Sequence, residues 1–520
     1  LKTATTFDYE TNASSYTITV QAKDELNATV EGDFSITLND WFDHEWSRVT
    51  AADLDTFDKF GSSISASGDY IAVGAPNAEA VYLYRKNASL NPDFISKILP
   101  TGHTGSSAFG YSVSLHGQLL AVGASTADPD DVAGAGACYL YKIESNESVT
   151  FLREVVAYDK SEHAAFGNSL SLFGSMLAIG SDNADPDGVT NAGAVYLYTI
   201  GSNGNVSLAS QIVAFDKSVG EFYGRKVHLE EDILIVGADS ADTDGVVDAG
   251  AAYIYQIESN GSATYLSKVT SPHKSVEDYF GWSIASSGNL LAVGSDYYDI
   301  ESVSNGGAIM IYQLENNGST TFRNTITAPD LHENGFFGGS ISFANNLLAV
   351  ASYDWFNAVS DYKGAVYLYH LENNGSASFL TKFTSPTNEK RNYFGVDVAL
   401  SESTLLIGES GSRGSNGGAG AVFSFDISSY LPPVKEVFFV SGGQGTFPYY
   451  TITDPNGQSV DFNSSYQLIS GNSYEFLADN VSGSHPFMIG ESYGDTASSL
   501  VSGGPLTGSG GKIIVTIPEG

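Results

Sequence analysis

The sequence predicts an all-β chain centred on a seven-bladed propeller of four-stranded blades, and three observations carry that prediction. A Phe-Gly or Tyr-Gly pair recurs at Phe60-Gly61, Phe109-Gly110, Phe166-Gly167, Tyr223-Gly224, Phe280-Gly281, Phe337-Gly338 and Phe394-Gly395. The first interval is 49 residues and the other five are 57, a near-fixed period that means stacked units sharing a core. Each unit also holds four short apolar runs, which in the third are GNSLSLF, SMLAIGS, AGAVYLY and SLASQIVAF; four strands in each of seven units is the pattern of a propeller. Finally, the two ends complement each other. The seventh unit gives FGVDVAL, STLLIGE and GAVFSF without a fourth strand, while Trp46-Ser47-Arg48-Val49-Thr50 stands as far before Phe60 as Thr381-Lys382-Phe383-Thr384 stands before Phe394. The N-terminal segment is therefore expected to supply the outer strand of the last blade and close the ring, removing the edges an open ring would expose. A solenoid would need capping repeats and has no reason to borrow a strand.

Within each unit the small residues of LLAVGA suit close packing between blades, where a bulky side chain would hold them apart. The gaps between apolar runs are filled by Gly, Ser, Thr, Asn and Asp, and Tyr and Phe are abundant (30 and 29), as expected of short strands joined by turns. Sixty acidic against 23 basic residues give a formal net charge of −37. That balance argues against nucleic acid or an anionic membrane as the main partner and favours small cations or a salty medium. The single cysteine, Cys138 in ACYLY, excludes an intrachain disulfide and reads as a small buried hydrophobe. No run of about 20 apolar residues exists that could span a membrane. The chain opens in mid-pattern at LKTATTFDYE, which suggests a segment of something longer.

The phrases FGYSVSLHGQLLAVGAS and GAVYLY resemble the FG-GAP repeat of integrin alpha-chain propellers and their microbial relatives, over residues 45–428. The resemblance implies an extracellular propeller used in adhesion or recognition. One departure matters. In that family a calcium loop, Asp-x-Asp/Asn-x-Asp-Gly, precedes the strand ending in Gly-Ala-Pro; here that connection is only HGQ, FGS or SGN, too short to hold a cation. The family's metal positions therefore do not transfer.

Acidic loops follow that strand instead. In the third unit Asp182, Asp185, Asp187 and Asn191 fall in ten residues, with Gly188 allowing a sharp turn. The fourth offers Asp239, Asp242, Asp244 and Asp248 in the same register; the second keeps Asp128, Asp130 and Asp131, and the fifth Asp296, Asp299 and Glu301. Calcium takes six to eight oxygens, and a cation would relieve the repulsion among such close carboxylates. Calcium, in a structural role, is the expected cofactor. The plain alternative is that Asp, Asn and Gly are what long surface turns contain.

In a four-stranded meander, the loop between strands two and three opens on the same side as the link to the next blade. One face should thus gather the acidic loops with His163, His273, Tyr279, His332, Phe336, Trp355 and Phe356, and this is the expected binding face; each of these residues could equally be packing. The opposite face receives the hairpins between strands three and four, where N-x-Ser/Thr sequons recur at Asn87, Asn146, Asn205, Asn260, Asn317 and Asn374. Others lie outside the ring at Asn12, Asn27, Asn463 and Asn480. Asn-Gly is also a favoured hairpin turn, so glycosylation is one of two readings.

Two flanking modules are expected. Residues 1–40, with DYE, SYTITVQAKD and FSITLND, resemble the end of a cadherin-like β-sandwich, and Glu10, Asp24 and Asp40 match the acidic positions such modules use for linker calcium. Residues 434–520, with VSGSHPFMIGESYG and GGKIIVTIPEG, resemble a cupredoxin-like β-sandwich. His485 and Met488 alone cannot make a blue-copper site, and the region has no cysteine, so no copper is expected.

The leading functional reading is an extracellular structural or adhesive protein at a cell surface or in a matrix. In it the propeller is a calcium-stabilised platform for a protein or glycan, and repetition along a filament would multiply weak contacts. No membrane insertion or catalytic residue is expected. The rivals are a polysaccharide lyase or hydrolase, which would need carboxylates of unequal pKa or an open metal site, and a calcium-dependent lectin.

Overall fold

The computed structural model describes residues 15–23, 29–37, 46–87, 90–102, 106–201, 204–258, 260–315, 318–353, 364–387, 393–401, 403–411, 418–431, 434–442, 450–453, 473–481, 501–502 and 512–516. Seven four-stranded antiparallel sheets follow one another along the chain. Blade 3 is representative: Leu170–Phe173, Met176–Ser181, Ala194–Ile200 and Val206–Ile212 pair in sequence order, from the axis outward. In blade 7, Phe394–Ser401, Thr404–Glu409 and Ala421–Asp426 are completed by Trp46–Val49, which pairs antiparallel with Ala421–Asp426. Arg48 stands opposite Phe423, and Trp46 packs on the Phe423 ring at 5.8 Å. The ring is closed as the sequence predicts.

The second and third strands are buried throughout, so AVYLY and MLAIGS read as unbroken apolar runs. The outer strands are largely exposed or half-buried and meet solvent. Seven clusters of buried residues, one per seam, form the core, each mixing side chains of two adjacent blades. The aromatic ring of every Phe-Gly or Tyr-Gly pair is fully buried. In most blades it meets the third-strand tyrosine edge-on, as in Phe166 and Tyr196 at 5.3 Å. Burying one such ring stabilises by about 1.5–3 kcal/mol, and the edge-on pairing adds about 0.5–1.5 kcal/mol.

The glycines set how closely the blades approach. A β-carbon on Gly74, Gly123, Gly180, Gly237, Gly294 or Gly408 would lie 2.0–2.6 Å from the carbonyl oxygen of the Phe-Gly glycine in the next blade. The glycine of that pair has a positive φ, 87° at Gly167 for example, and itself rests on the third strand of the preceding blade. Near the axis, serines bridge first strands that are not partners in one sheet. The Ser65, Ser114, Ser171 and Ser342 hydroxyls accept the backbone N–H of Leu115, Leu172, Leu229 and Leu400 in the next blade at 2.9–3.0 Å.

Blade 1 explains the short first interval. Its second and third strands are joined by a single turn around Pro76–Ala78, whereas blade 2 has the loop from Ser125 to Gly136 between Leu119–Ala124 and Ala137–Ile143. Outside the ring, Ser15–Lys23 and Thr29–Thr37 form a hairpin. Val434–Gly442, Tyr450–Thr453, Ser473–Val481, Val501–Ser502 and Lys512–Thr516 form a five-stranded mixed sheet. Among the described residues no helix is long and apolar enough to cross a membrane.

Candidate functional site

The acidic loops repeat one conformation. In blades 2 to 5 the carboxylates of Asp128, Asp185, Asp242 and Asp299 accept the backbone N–H six residues on, from Gly134, Asn191, Asp248 and Asn305, at 2.6–3.0 Å. Two residues after each of these acids, Asp130, Asp187, Asp244 and Glu301 adopt positive φ (53–55°) and turn their side chains outward. Asp130, Asp187 and Asp244 then pair with Lys160, Lys217 and Lys274 from the link to the next blade, at 3.0–3.1 Å. Leu331 stands where a fourth lysine would be. Asp131, Asn191 and Asp248 also have positive φ, and burial beside Asp242 and Glu277 raises the Asp248 pKa.

The first acid of each loop faces another way. Asp182, Asp239 and Asp296 directly follow their second strands and are buried around Arg225. The Arg225 guanidinium lies 3.2 Å from Asp239 Oδ2 and 3.7 Å from Asp182 Oδ2, and the Tyr353 hydroxyl donates to Asp296 Oδ2 at 3.0 Å. Burial pushes the Asp182 carboxyl up to about 6, against the pull of Arg225. It pushes Asp239 and Asp296 up to about 7, and these two also repel each other. Asp239 Oδ1 and Asp296 Oδ1 are buried without a hydrogen-bond partner.

The acids predicted to share a cation therefore diverge within each loop. Among the described residues no group of three or more His, Cys, Asp or Glu is arranged to hold a metal ion. In blades 3 and 4 the donor set does not fit calcium, because one carboxylate braces its own loop, one pairs with lysine and one is buried against Arg225; blade 2 has Ser125 in place of the first acid, and in blade 5 Asp296 is taken by Tyr353. The positions Glu10, Asp24 and Asp40 lie outside the described residues, as do Trp355, Phe356, Asn12, Asn27, Asn317, Asn463, His485 and Met488.

The other face residues separate too. His163 and His273 are exposed and His332 is half-buried, each in a different link. Phe336 is buried, 4.9 Å from the Tyr297 ring and stacked on Tyr353 at 6.3 Å, and Tyr279 meets Tyr297 at 5.1 Å. These three rings support Tyr353 and, through it, Asp296. On the opposite face Asn87, Asn146, Asn205, Asn260 and Asn374 are exposed. The Oδ1 atoms of Asn146, Asn260 and Asn374 accept both the backbone N–H and the hydroxyl of the sequon serine, at 2.6–3.1 Å. Asn480 lies in Ser473–Val481.

Arg225, Trp282, Tyr111 and Tyr353 were not singled out by sequence reasoning. The signal was present in the residue after each Phe-Gly or Tyr-Gly pair: Ser62, Tyr111, Asn168, Arg225, Trp282, Gly339 and Val396. The Phe-Gly pair itself repeats, while this position, like the residue before the pair, varies in size and charge. Arg225 lies over the Trp282 ring at 4.7 Å. Gly339 is small where Tyr353 needs space, since a β-carbon there would meet the Tyr353 ring at 1.7 Å.

Blade 4 departs furthest from the serine pattern. Lys226 occupies a position held by serine in five other blades and by Asp397 in the seventh. Asp397 accepts the Ile64 N–H at 2.7 Å and the Ser340 hydroxyl at 2.9 Å, and burial raises its pKa against the opposing field of Lys226. His228 Nε2 meets the Ser286 N–H at 3.2 Å and the Ser286 hydroxyl at 2.9 Å, and Ser286 also bonds Glu230.

Comparison with known proteins adds the following. Residues 44–86, 93–141, 150–198, 206–255 and 264–312 match the FG-GAP repeat. This stretch is an FG-GAP repeat region forming part of the propeller. Each matched segment from the second onward begins with the outer strand of one blade and ends with the third strand of the next. A search of curated proteins returns no match. The crystal structure of a protein from Lactobacillus plantarum is similar at 13% identity and a TM-score of 0.43, covering 63% of this chain and 85% of that chain.

Proposed function

We propose that this chain is the recognition module of an extracellular structural or adhesive protein, flanked by cadherin-like and cupredoxin-like modules, and that it binds through the face bearing the acidic loops. The observation that carries this reading is the inequality of the two faces. On one, a ring of positions around the axis varies from Ser to Tyr, Arg and Trp on an otherwise repeating scaffold. On the other, exposed sequon asparagines recur at equivalent hairpins. Repeated residues serve the fold in every blade, whereas variation gathered around the Phe-Gly pair on the first face is the mark of a surface under a different demand. The FG-GAP repeats support an adhesive role by family habit, and the marked acidity suits a salty exterior. Binding is favoured over turnover because burial shifts Asp182, Asp239 and Asp296 all in the same direction, upward, rather than setting one against another as acid–base catalysis needs.

Orientation tests the reading. Cys138 is buried, so a cysteine placed at exposed Ser145 or exposed Val247 can tether the chain to beads by one face or the other. Beads tethered through Ser145→Cys, with the acidic face outward, should adhere to extracellular matrix; those tethered through Val247→Cys should not. Equal adherence, or the reverse, removes the proposal. New reducing ends from a polysaccharide would favour the enzymatic rival. In a eukaryotic secretory host, Asn146, Asn260 and Asn374 are expected to carry glycans, read as a mass change on glycosidase treatment; their absence there would leave these turns purely structural.

A further inference from the structure

The site around Arg225 has features that neither the fold nor the acidic loops require. Arg225 and Trp282 stand at positions that other blades fill with Ser, Asn, Gly or Val. Tyr111, at the same position in blade 2, leaves about half its surface open (52%). Beneath them lie Asp182, Asp239 and Asp296, with two carboxylate oxygens that have no hydrogen-bond partner. Buried polar atoms without partners are uncommon in folded proteins and call for an explanation. These atoms are acceptors when ionised, so what completes them must donate.

We propose that this mouth of the propeller axis binds a neutral, polyhydroxylated ligand, an oligosaccharide end or branch, without a metal ion. The inference rests on the reading that this face is the binding face, and it names the ligand class.

Three chemistries compete for such a site. An anion would be set against three carboxyls. An ammonium or guanidinium group would be attracted to the acids but would have to approach Arg225, whose guanidinium already sits between Asp182 and Asp239. A sugar hydroxyl both donates and accepts, so one ligand can give hydrogen bonds to the carboxylates and take them from the half-exposed Arg225. The Tyr111 ring offers an apolar face for the C–H surface of a pyranose, and Trp282, held by Arg225 on one side, lines the same mouth. Burial also raises the pKa of all three carboxyls, which favours their neutral form and so lowers the field a cation would feel. Small ligands are commonly held in this way, with a few convergent polar groups fixing orientation beside aromatic surface.

The full chain, in buffer containing a chelator, is applied to printed panels of neutral, amino-substituted and sulfated or uronate oligosaccharides, with oligolysine as a cationic control. Binding to neutral oligosaccharides that persists in chelator is the expected result. Tyr111→Ala should weaken it by about tenfold or more with the melting temperature unchanged, since that ring is half exposed. Arg225→Gln should also weaken it, and a parallel Lys217→Gln, on the outer loop, should not. Preference for the sulfated panel or for oligolysine overturns the proposal, as does neutral-sugar binding that is abolished by chelation or indifferent to both Tyr111→Ala and Arg225→Gln. If Ser145-tethered beads adhere to matrix while no neutral oligosaccharide binds, the oligosaccharide proposal fails and the binding face stands. If beads adhere only through the opposite face, both fall.

Discussion

A β-carbon at Gly180 would sit 2.0 Å from the Gly224 carbonyl oxygen, well inside contact distance, and neither backbone has a side chain to rotate away. Gly180→Ala must therefore push blades 3 and 4 apart. The expected cost is about 1–3 kcal/mol, the usual range for overpacking, read as a lower urea midpoint with an unchanged slope. Blade 6 contains a natural counterpart, with Ala351 at the same position. There the tightest backbone contact of the Phe-Gly glycine relaxes: a β-carbon on Gly395 would lie 3.4 Å from the Ala365 oxygen, against 2.5 Å at the equivalent Gly167 and Ala137. One methyl is accommodated by a wider seam. At the same scale, the raised carboxyls give a pH signature. Asp182, Asp239 and Asp296 hold protons in the folded chain at pH values where the unfolded chain has released them, so unfolding releases protons and rising pH favours it. Between about pH 5 and pH 7 the melting temperature should fall as pH rises. Asp239→Asn should flatten the slope; an unchanged slope would deny that this carboxyl titrates in that window. His116, whose pKa burial lowers, works the other way and is untouched by the substitution.

At the scale of the element, the strands were legible because their residues repeat. AVYLY, LLAVGA and the Phe-Gly pair return at a fixed interval, and each is dictated by a contact that every seam must make. The borrowed strand at Trp46–Val49 was legible for the same reason, as a missing fourth strand with a matching orphan. What the loop acids do was not legible. Asp182, Asp185 and Asp187 are neighbours in sequence, yet one ends a buried strand, one accepts a hydrogen bond from the far side of its loop, and one turns outward through a left-handed residue. Spacing alone contains no record of those directions, and a lysine 30 residues downstream of Asp187 decides its partner. Chelation should accordingly move the melting temperature by no more than a degree or so, because exposed ion pairs such as Lys217 with Asp187 contribute only about 0–1 kcal/mol and no group of three or more acids among the described residues is arranged to hold a metal. A rise of several degrees on adding calcium would reinstate the loops as metal sites.

For the whole molecule, closure is the property on which the others depend. Removing residues 1–49 would leave blade 7 with three strands and bare one edge of Ala421–Asp426. The first symptoms should be early proteolysis near Gly418–Asp426 and a melting temperature lower by several degrees, with the other six blades largely retaining their strand content by circular dichroism. A single loss of all structure would mean instead that the ring folds only as one unit. The formal net charge of −37 adds self-repulsion that salt screens over about 8–10 Å, so these measurements belong at one fixed ionic strength.

The seams have an implication for how such a protein can change over time. Where two blades meet, the closest contacts are glycine against carbonyl, and the serine bridges end on backbone N–H groups. A blade thus recognises its neighbour mainly by main-chain shape, which every neighbour possesses. Units of this kind are interchangeable: one could be duplicated, reordered or exchanged with a sister without redesigning the joint. The residue that follows each Phe-Gly pair can then diversify freely, so a ring of constant joints becomes a means of testing new surface chemistry one blade at a time.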